Sequence, residues 1–348
     1  MKVSPKNLKK ILSNFKNKHI LVLGDIILDQ YILGDVERIS PEAPVPIVWA
    51  KRDSYLGGGS ANVGLNIVDL DGKVTLAGVI GNDYYGKILF SLINKNKGVS
   101  TDLVIKDPNR PTTLKTRIIA QHQQVVRVDW ESREEISLDI CDKILSKIRK
   151  RIDEFDAVII EDYGKGVINP YTVGEVVKIC KEKNKIVTVD PKEDHFDYYQ
   201  GVTALTPNLK EAEIAGGFRV KKKTEIELLG EIIMEKLKPQ ALIITLGEEG
   251  MQLFVDKKNS LHIPTTAKEV YDVTGAGDTV IAVFTLALAS GGSFLEATVL
   301  SNFAAGIVVG KLGAATTYPD ELWETVENLA PQLVINEGSK INKKSTLV

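Results

Sequence analysis

The chain has 348 residues, 43% of them hydrophobic and 26% charged, which is enough apolar material for one large core or two modest ones. Its 44 basic and 46 acidic residues leave a net charge of −2, so no global electrostatic reason exists to expect nucleic acid or an anionic membrane as partner; any anion site must be local. Cys141 and Cys180 both fall in helical patterns, which argues against a disulfide framework or a cysteine metal site and for a reducing, cytoplasmic compartment.

The first segment, MKVSPKNLKKILSNFKNK, has no apolar signal core, and no later stretch offers ~18 uncharged apolar residues, so neither secretion nor membrane insertion is expected. From there short apolar runs alternate with helical patterns. HILVLGD, KVTLAGVIG, DAVIIED, KIVTVDP and ALIITLG read as strands, and 138–151, 170–183 and 223–237 as helices. That alternation predicts an α/β fold, a parallel sheet covered by helices on both faces. It breaks at 31–56 and 101–131, where strand-like segments follow one another; these are expected to form a small β subdomain beside the main sheet.

The first strand puts Asp25 and Asp29 at and just after its carboxyl end, where open α/β sheets hold ligands and where carboxylates suit sugar hydroxyls. In SYLGGGSANVGLNI, Gly57, Gly58 and Gly59 let backbone N–H groups approach a polyol, and Asn62, at a helix start, can donate and accept. A flexible loop followed by helix-capping residues has the same composition. Next, TTLKTRIIAQHQQVVRVDWE predicts a hairpin turning near Gln121 and His122. Alternation places Lys115 and Arg117 on one face of its first arm, and Arg127 opposite the apolar Val126, Val128 and Trp130 of its second. Three cations can thus share one side, although a solvated strand face has the same pattern.

EDYGKG, DPK and TPNLKEAE follow successive strands and set Asp162, Lys165, Asp190, Lys192, Asn208 and Glu211 along one sheet edge. The spacing of Asn208 and Glu211 suits water around Mg²⁺ or phosphate, and equally a helix cap. TLGEEGMQLF reads as strand, turn, strand, with Gly247 and Gly250 open to a ligand. The late stretch DVTGAGD precedes a run that is apolar all round, which predicts a buried helix whose first turn carries unpaired N–H groups and a positive dipole end. Gly275, Ala276 and Gly277 are small enough for a phosphoryl group to reach those N–H groups, and Asp278 is placed to take the proton of an attacking hydroxyl. A glycine turn with an aspartate complementing the dipole is the structural alternative. The phosphate-loop pattern G-x-x-x-x-G-K-[ST], H-R-D and G-x-G-x-x-G are all missing from the sequence, and the four histidines show no metal-binding or catalytic spacing. One domain is expected over residues 1–330, followed by a polar, disordered tail at 331–348.

Together, the early GD, GGGSAN, TPN-x-x-E, TLG-x-x-G and DVTGAGD, in this order, resemble the ribokinase-like (PfkB) family of sugar kinases over roughly residues 18–330. The resemblance implies a three-layer α/β/α sandwich with a mostly parallel central sheet and a small β lid, with ATP and Mg²⁺ used in the reaction. It makes Asp278 the base and residues 275–277 the anion hole. Asp25, Asp29, Gly57, Gly58, Gly59, Asn62, Asp162 and Lys165 go to the sugar; Lys192, Asn208, Glu211, Thr245, Gly247 and Gly250 go to the nucleotide. RISPEAPVPIV, DYGKG, DPK and EVYDVTGAGDTVI look like the members of the family that phosphorylate a heptose 7-phosphate at O1 for the lipopolysaccharide core. That likeness would give Lys115, Arg117 or Arg127 a phosphate to hold. It further implies a homodimer formed through the lids, and a K⁺ site at Asp272 and Thr274 with Gly313 and Thr317. Some such relatives carry a C-terminal nucleotidyltransferase; here the implied adenylyl-transferring partner is a separate protein. The rivals are a kinase for another sugar and a sugar-sensing module without turnover, against which Asp278 and its small neighbours argue.

Overall fold

The computed structural model describes residues 3–121, 123–256, 259–267 and 269–337. Helix α1 (Pro5–Ser13) leads into β1 (His19–Gly24), after which the chain leaves the main sheet as two long strands, β2 (Ile26–Ile39) and β3 (Pro46–Gly59). It returns through α2 (Ser60–Asp69), β4 (Lys73–Gly81), α3 (Tyr84–Asn94) and β5 (Val99–Asp107). A second excursion makes the hairpin β6 (Thr113–Ala120) and β7 (Gln123–Trp130). Then follow α4 (Leu138–Arg151), β8 (Ala157–Glu161), α5 (Pro170–Glu182), β9 (Ile186–Asp190), β10 (Ala204–Leu205), α6 (Leu209–Gly216), α7 (Thr224–Leu237) and β11 (Ala241–Thr245). The described chain closes with β12 (Met251–Phe254), β13 (Ser260–Ile263), α8 (Ala276–Ala289), α9 (Phe294–Val308), α10 (Pro319–Leu329) and β14 (Asn336–Glu337).

The main sheet has the order β14-β13-β12-β11-β10-β9-β8-β1-β4-β5, parallel from β5 to β11 and antiparallel beyond, and the lid has the order β3-β2-β6-β7. Strands buried on both faces explain why the runs read as unbroken apolar segments. In β8, Ala157 and Ile159 pack into the core shared with α8 and α9, while Val158 and Ile160 pack into the core under α4, α5 and α7. Helix α8 is buried from Asp278 through Leu288, as its all-round apolar sequence requires. Among the described residues, no helix is long and apolar enough to cross a membrane.

Two expectations and one alternative reading need correction. Residues 99–107 do not belong to the lid: β5 pairs in parallel with β4 and completes the sheet edge, so the lid is built from 26–39, 46–59, 113–120 and 123–130. The triple glycine is not a loop, because Gly57, Gly58 and Gly59 pair with Leu28, Ile27 and Ile26 and continue β3 to the first turn of α2. Part of the expected tail is ordered, since Asn336 and Glu337 pair with His262 and Leu261; residues 338–348 lie outside the described chain. The hairpin does turn at Gln121, which has a positive φ of 49°, while His122 lies outside the described residues.

Candidate active site

The carboxyl ends of β8 and β9 meet the N-terminus of α8, and Thr245 at the end of β11 shares a cavity with Gly277. Gly275 caps that helix in the left-handed region, φ 79°, and a Cβ there would come within 2.8 Å of Asn62 Nδ2. No side chain caps the turn. The N–H of Ala276 reaches Val273 O and that of Thr279 reaches Gly275 O, which leaves the N–H groups of Gly277 and Asp278 without partners among the described residues. Asp278 is 4% exposed. Its Oδ2 accepts from Asn62 Nδ2 at 2.5 Å and its Oδ1 from the Tyr163 hydroxyl at 2.8 Å. Burial pushes its carboxyl up to about 6, against the pull of those two hydrogen bonds, so it is ionised at neutral pH yet more basic than a surface aspartate.

Gly277 sits where two cavities meet. On one side lies a polar cavity of about 680 Å³ that also takes in Asp278, Lys115, Arg127, Lys165 and Lys192. On the other lies a cavity of about 410 Å³, lined largely by apolar groups including Met251, Val270, Val280 and Val309, and by Thr245, Gly247 and Gly250. The second suits a flat, weakly polar ring, the first a polyanion or polyol.

The hairpin cations do share one face, since Arg117 stands opposite Arg127 and Lys115 opposite Asp129. Their partners differ. Arg117 is ion-paired with Asp29 and is not part of the cavity wall. Arg127 is held by Asp129 at 2.9 Å. Lys115 has no ion-pair partner among the described residues; its ammonium lies 4.9 Å from the Tyr163 ring centroid, and burial lowers its pKa. Lys165 is paired with Glu131 at 2.8 Å and Lys192 with Glu193.

Several other expected site residues have internal work. The buried carboxylate of Asp25 accepts from the N–H groups of Tyr163, Lys165 and Val167, and so shapes the DYGKG loop. Asp162 accepts from Gly164 N–H and the Tyr199 hydroxyl and lies 2.8 Å from His195 Nδ1. Asn208 and Glu211 form a reciprocal capping box at the start of α6 while lining the polar cavity, where burial lifts Glu211 to about 7. Asp272 joins two loops by accepting from Thr274 N–H and Gly313 N–H, whereas Thr317 is buried with its hydroxyl on Glu321. Residues not picked out from the sequence are Tyr163, Glu161, Arg133 and His195. Tyr163 and Glu161 stand inside the EDYGKG stretch, but only the hydrogen bond of Tyr163 and the close approach of the Glu161 carboxylate show that they face Asp278.

The pfkB family of carbohydrate kinases matches the chain over residues 17–321. Among curated proteins, the Bifunctional protein HldE of Geobacter metallireducens is 43% identical over 317 residues, which cover 91% of this chain and 64% of that protein. Its counterpart in Helicobacter hepaticus is 41% identical over 95% of this chain and 68% of that protein. The chain thus spans somewhat under two thirds of the length of the first of these relatives. Among solved structures, Arabidopsis thaliana ribokinase complexed with ribose and ATP superposes with a TM-score of 0.71 at 21% identity, over 89% of this chain and 99% of that one. Escherichia coli phosphofructokinase-2 in complex with potassium gives 0.73 at 15% identity, over 89% and 98%. At such identities the likeness concerns the fold, a ribokinase-like α/β/α sandwich.

Proposed function

The chain belongs to the pfkB family of carbohydrate kinases, and from that premise we propose that it transfers the γ-phosphoryl group of ATP to O1 of D-glycero-β-D-manno-heptose 7-phosphate, giving the 1,7-bisphosphate for ADP-heptose and lipopolysaccharide-core synthesis. The observation that carries this reading is the meeting of the two cavities at Gly277, beside Asp278, with several cations on the wall of the polar one. A nucleotide base suits the apolar cavity, its γ-phosphate reaches the free N–H groups at the start of α8, and a sugar hydroxyl lies against Asp278. Asp278 accepts the O1 proton as O1 bonds to the γ-phosphorus and the bond to the β-phosphate oxygen breaks, releasing ADP. Asn62 and Tyr163 fix the carboxylate for that step. The phosphate already on the sugar is held by Lys115, the cavity cation without a carboxylate partner, with Arg127 and Lys165 near it in the wall.

Mg²⁺ brought by ATP would be held by the nucleotide phosphates with Glu211, whose carboxylate lines the same cavity, and it would neutralise charge on the phosphates. The loops joined by Asp272 are the place for a K⁺ ion, and turnover with K⁺ replaced by Na⁺ tests that. The enzyme is read as cytoplasmic and as a dimer through the outer lid face, where Val126, Val128 and Trp130 are exposed. ADP release measured against heptose 7-phosphate, the unphosphorylated heptose, ribose and fructose 6-phosphate decides the substrate. Preference for any of the last three over heptose 7-phosphate would overturn the heptose assignment.

A further inference from the structure

No histidine stands out by spacing in the sequence, yet His195 belongs to the wall of the polar cavity. After β9 the chain makes a short 3₁₀ turn, Glu193–Tyr198, in which His195 N–H donates to Lys192 O at 2.9 Å. The His195 ring is fixed on two sides. It stacks on Tyr198, with centroids 4.7 Å apart and planes at 21°. Its Nδ1 lies 2.8 Å from Oδ2 of Asp162, whose side chain is 0% exposed, while the His195 side chain itself is 21% exposed.

Asp162 Oδ2 also accepts from the Tyr199 hydroxyl at 2.6 Å, and its Oδ1 from Gly164 N–H at 2.8 Å. Asp162 is thus an acceptor toward each of its neighbours, so Nδ1 is a ring nitrogen that carries a hydrogen. Nε2, on the other edge of the ring, makes no hydrogen bond among the described residues. The hydrogen bond to Asp162 raises the pKa of His195 against the opposing effect of burial, and the charges of Asp162, Asp194 and Asp25 add to the rise. That favours the imidazolium, in which Nε2 is a donor as well.

The other cations of the wall are differently placed. Lys165 and Arg133 both lie on Glu131, at 2.8 and 2.9 Å, Arg127 lies on Asp129 at 2.9 Å, and Lys192 is paired with Glu193. There the carboxylate and a ligand compete for one cationic group. An imidazolium divides the two tasks, since a buried carboxylate holds one N–H and leaves the other to a ligand. In a cavity lined by cations, the ligand such an edge suits is a phosphate. Asp162 stands on the loop that carries Lys165 and also Tyr163, whose hydroxyl is bonded to Asp278, which puts the contact on the acceptor side of the transfer point.

We propose that His195 is a specificity residue for the acceptor: its Nε2 donates to the phosphate that the sugar already carries, and Asp162 is the positioning residue that holds the ring for it. The inference rests on the heptose 7-phosphate reading and deepens it.

The test is steady-state kinetics of the wild type, His195→Asn and His195→Gln with heptose 7-phosphate, the unphosphorylated heptose and ATP varied in turn. Asparagine keeps a donor where Nδ1 stands, so Asp162 retains its partner, but it ends short of Nε2. His195→Asn should raise the KM for heptose 7-phosphate about tenfold or more, the loss of a hydrogen bond to a charged group. The KM for ATP and kcat/KM for the unphosphorylated heptose should stay as in the wild type. His195→Gln restores a neutral donor near Nε2 and should raise the KM for heptose 7-phosphate less; if His195→Asn does not fold by circular dichroism, any rise in His195→Gln confined to that substrate supports the contact. An unchanged KM for heptose 7-phosphate in the folded variants, a rise confined to ATP, or an equal loss with both heptoses would overturn the contact and leave the heptose 7-phosphate reading standing. A wild type that turns over the unphosphorylated heptose as well as the 7-phosphate would overturn that reading, and the contact with it.

Discussion

At the scale of single residues, Asp278 is held between opposing influences: burial raises its carboxyl to about 6, while Asn62 and Tyr163 donate to its charged form. Asp278→Asn should therefore lower kcat by roughly 10²–10⁴ with little change in either KM, since the amide keeps the shape but takes no proton. In the wild type, kcat/KM should rise with pH through about 6 and level off above it, as the base ionises. Tyr163→Phe removes a hydrogen bond to a charged acceptor, worth about 1.5–3 kcal/mol, so the acid limb should move up by about one to two pH units while the ring under Lys115 stays in place. An unmoved limb would mean that Asp278 is not the titrating base. Asp278 was legible in the sequence because a lone carboxylate stood before an all-apolar helix. Tyr163 and Glu161 were not, because nothing local shows which face the end of a buried strand presents, or that the loop after β8 points a tyrosine hydroxyl at α8.

At the scale of elements, the parallel strands and the helices at 138–151, 170–183 and 223–237 were readable because period and punctuation agree. The lid was only partly readable, since β5 pairs with β4 across the intervening α3 and nothing in its own pattern tells a main-sheet strand from a lid strand. The element with most chemical meaning is the first turn of α8. Gly277 has no positive φ, and a Cβ there would meet only Asp190 Oδ2, at 3.5 Å, an ordinary contact. The fold alone does not ask for glycine. Gly277→Ala should thus fold and gain up to about 1 kcal/mol from helix propensity, yet lose turnover because the methyl group stands where phosphate approaches. A variant at least as stable with full kcat would place the phosphate elsewhere. On the lid, Lys115, which has no ion-pair partner among the described residues, and Arg117, which is paired with Asp29, have separate roles. Lys115→Ala should raise the sugar-phosphate KM about ten- to hundredfold and leave that for ATP unmoved. Arg117→Ala should instead lower stability, by about 3 kcal/mol or more, because it strands the largely buried Asp29. Steady-state kinetics and denaturant melts on both variants distinguish these outcomes.

For the whole molecule, acids gathered at the sheet edge set the pH dependence of stability. Burial raises Asp25 and Asp278 to about 6 and Glu211 to about 7, and it raises Glu161 and Asp190 as well. Between the ordinary carboxyl range and pH 6–7 the folded chain therefore binds more protons than the unfolded chain, so the stability these groups contribute is lost as pH rises through that window. His195, raised by its hydrogen bond to Asp162, works in the same direction. Depressed acids such as Asp83, Glu131 and Glu321 act the other way but lower down, their contribution being lost as pH falls below the ordinary carboxyl range. Free of nucleotide and metal, the protein should thus melt at a higher temperature near pH 5 than near pH 7.5. At pH 7.5 the carboxylates under α8 are the strained part, so Glu161→Gln should raise the melting temperature. Calorimetric scans of both proteins in chelator at the two pH values check this. Equal melting temperatures at the two pH values, together with no gain in the variant, would mean that the carboxylates at the sheet edge are neutralised by some other group in the folded chain.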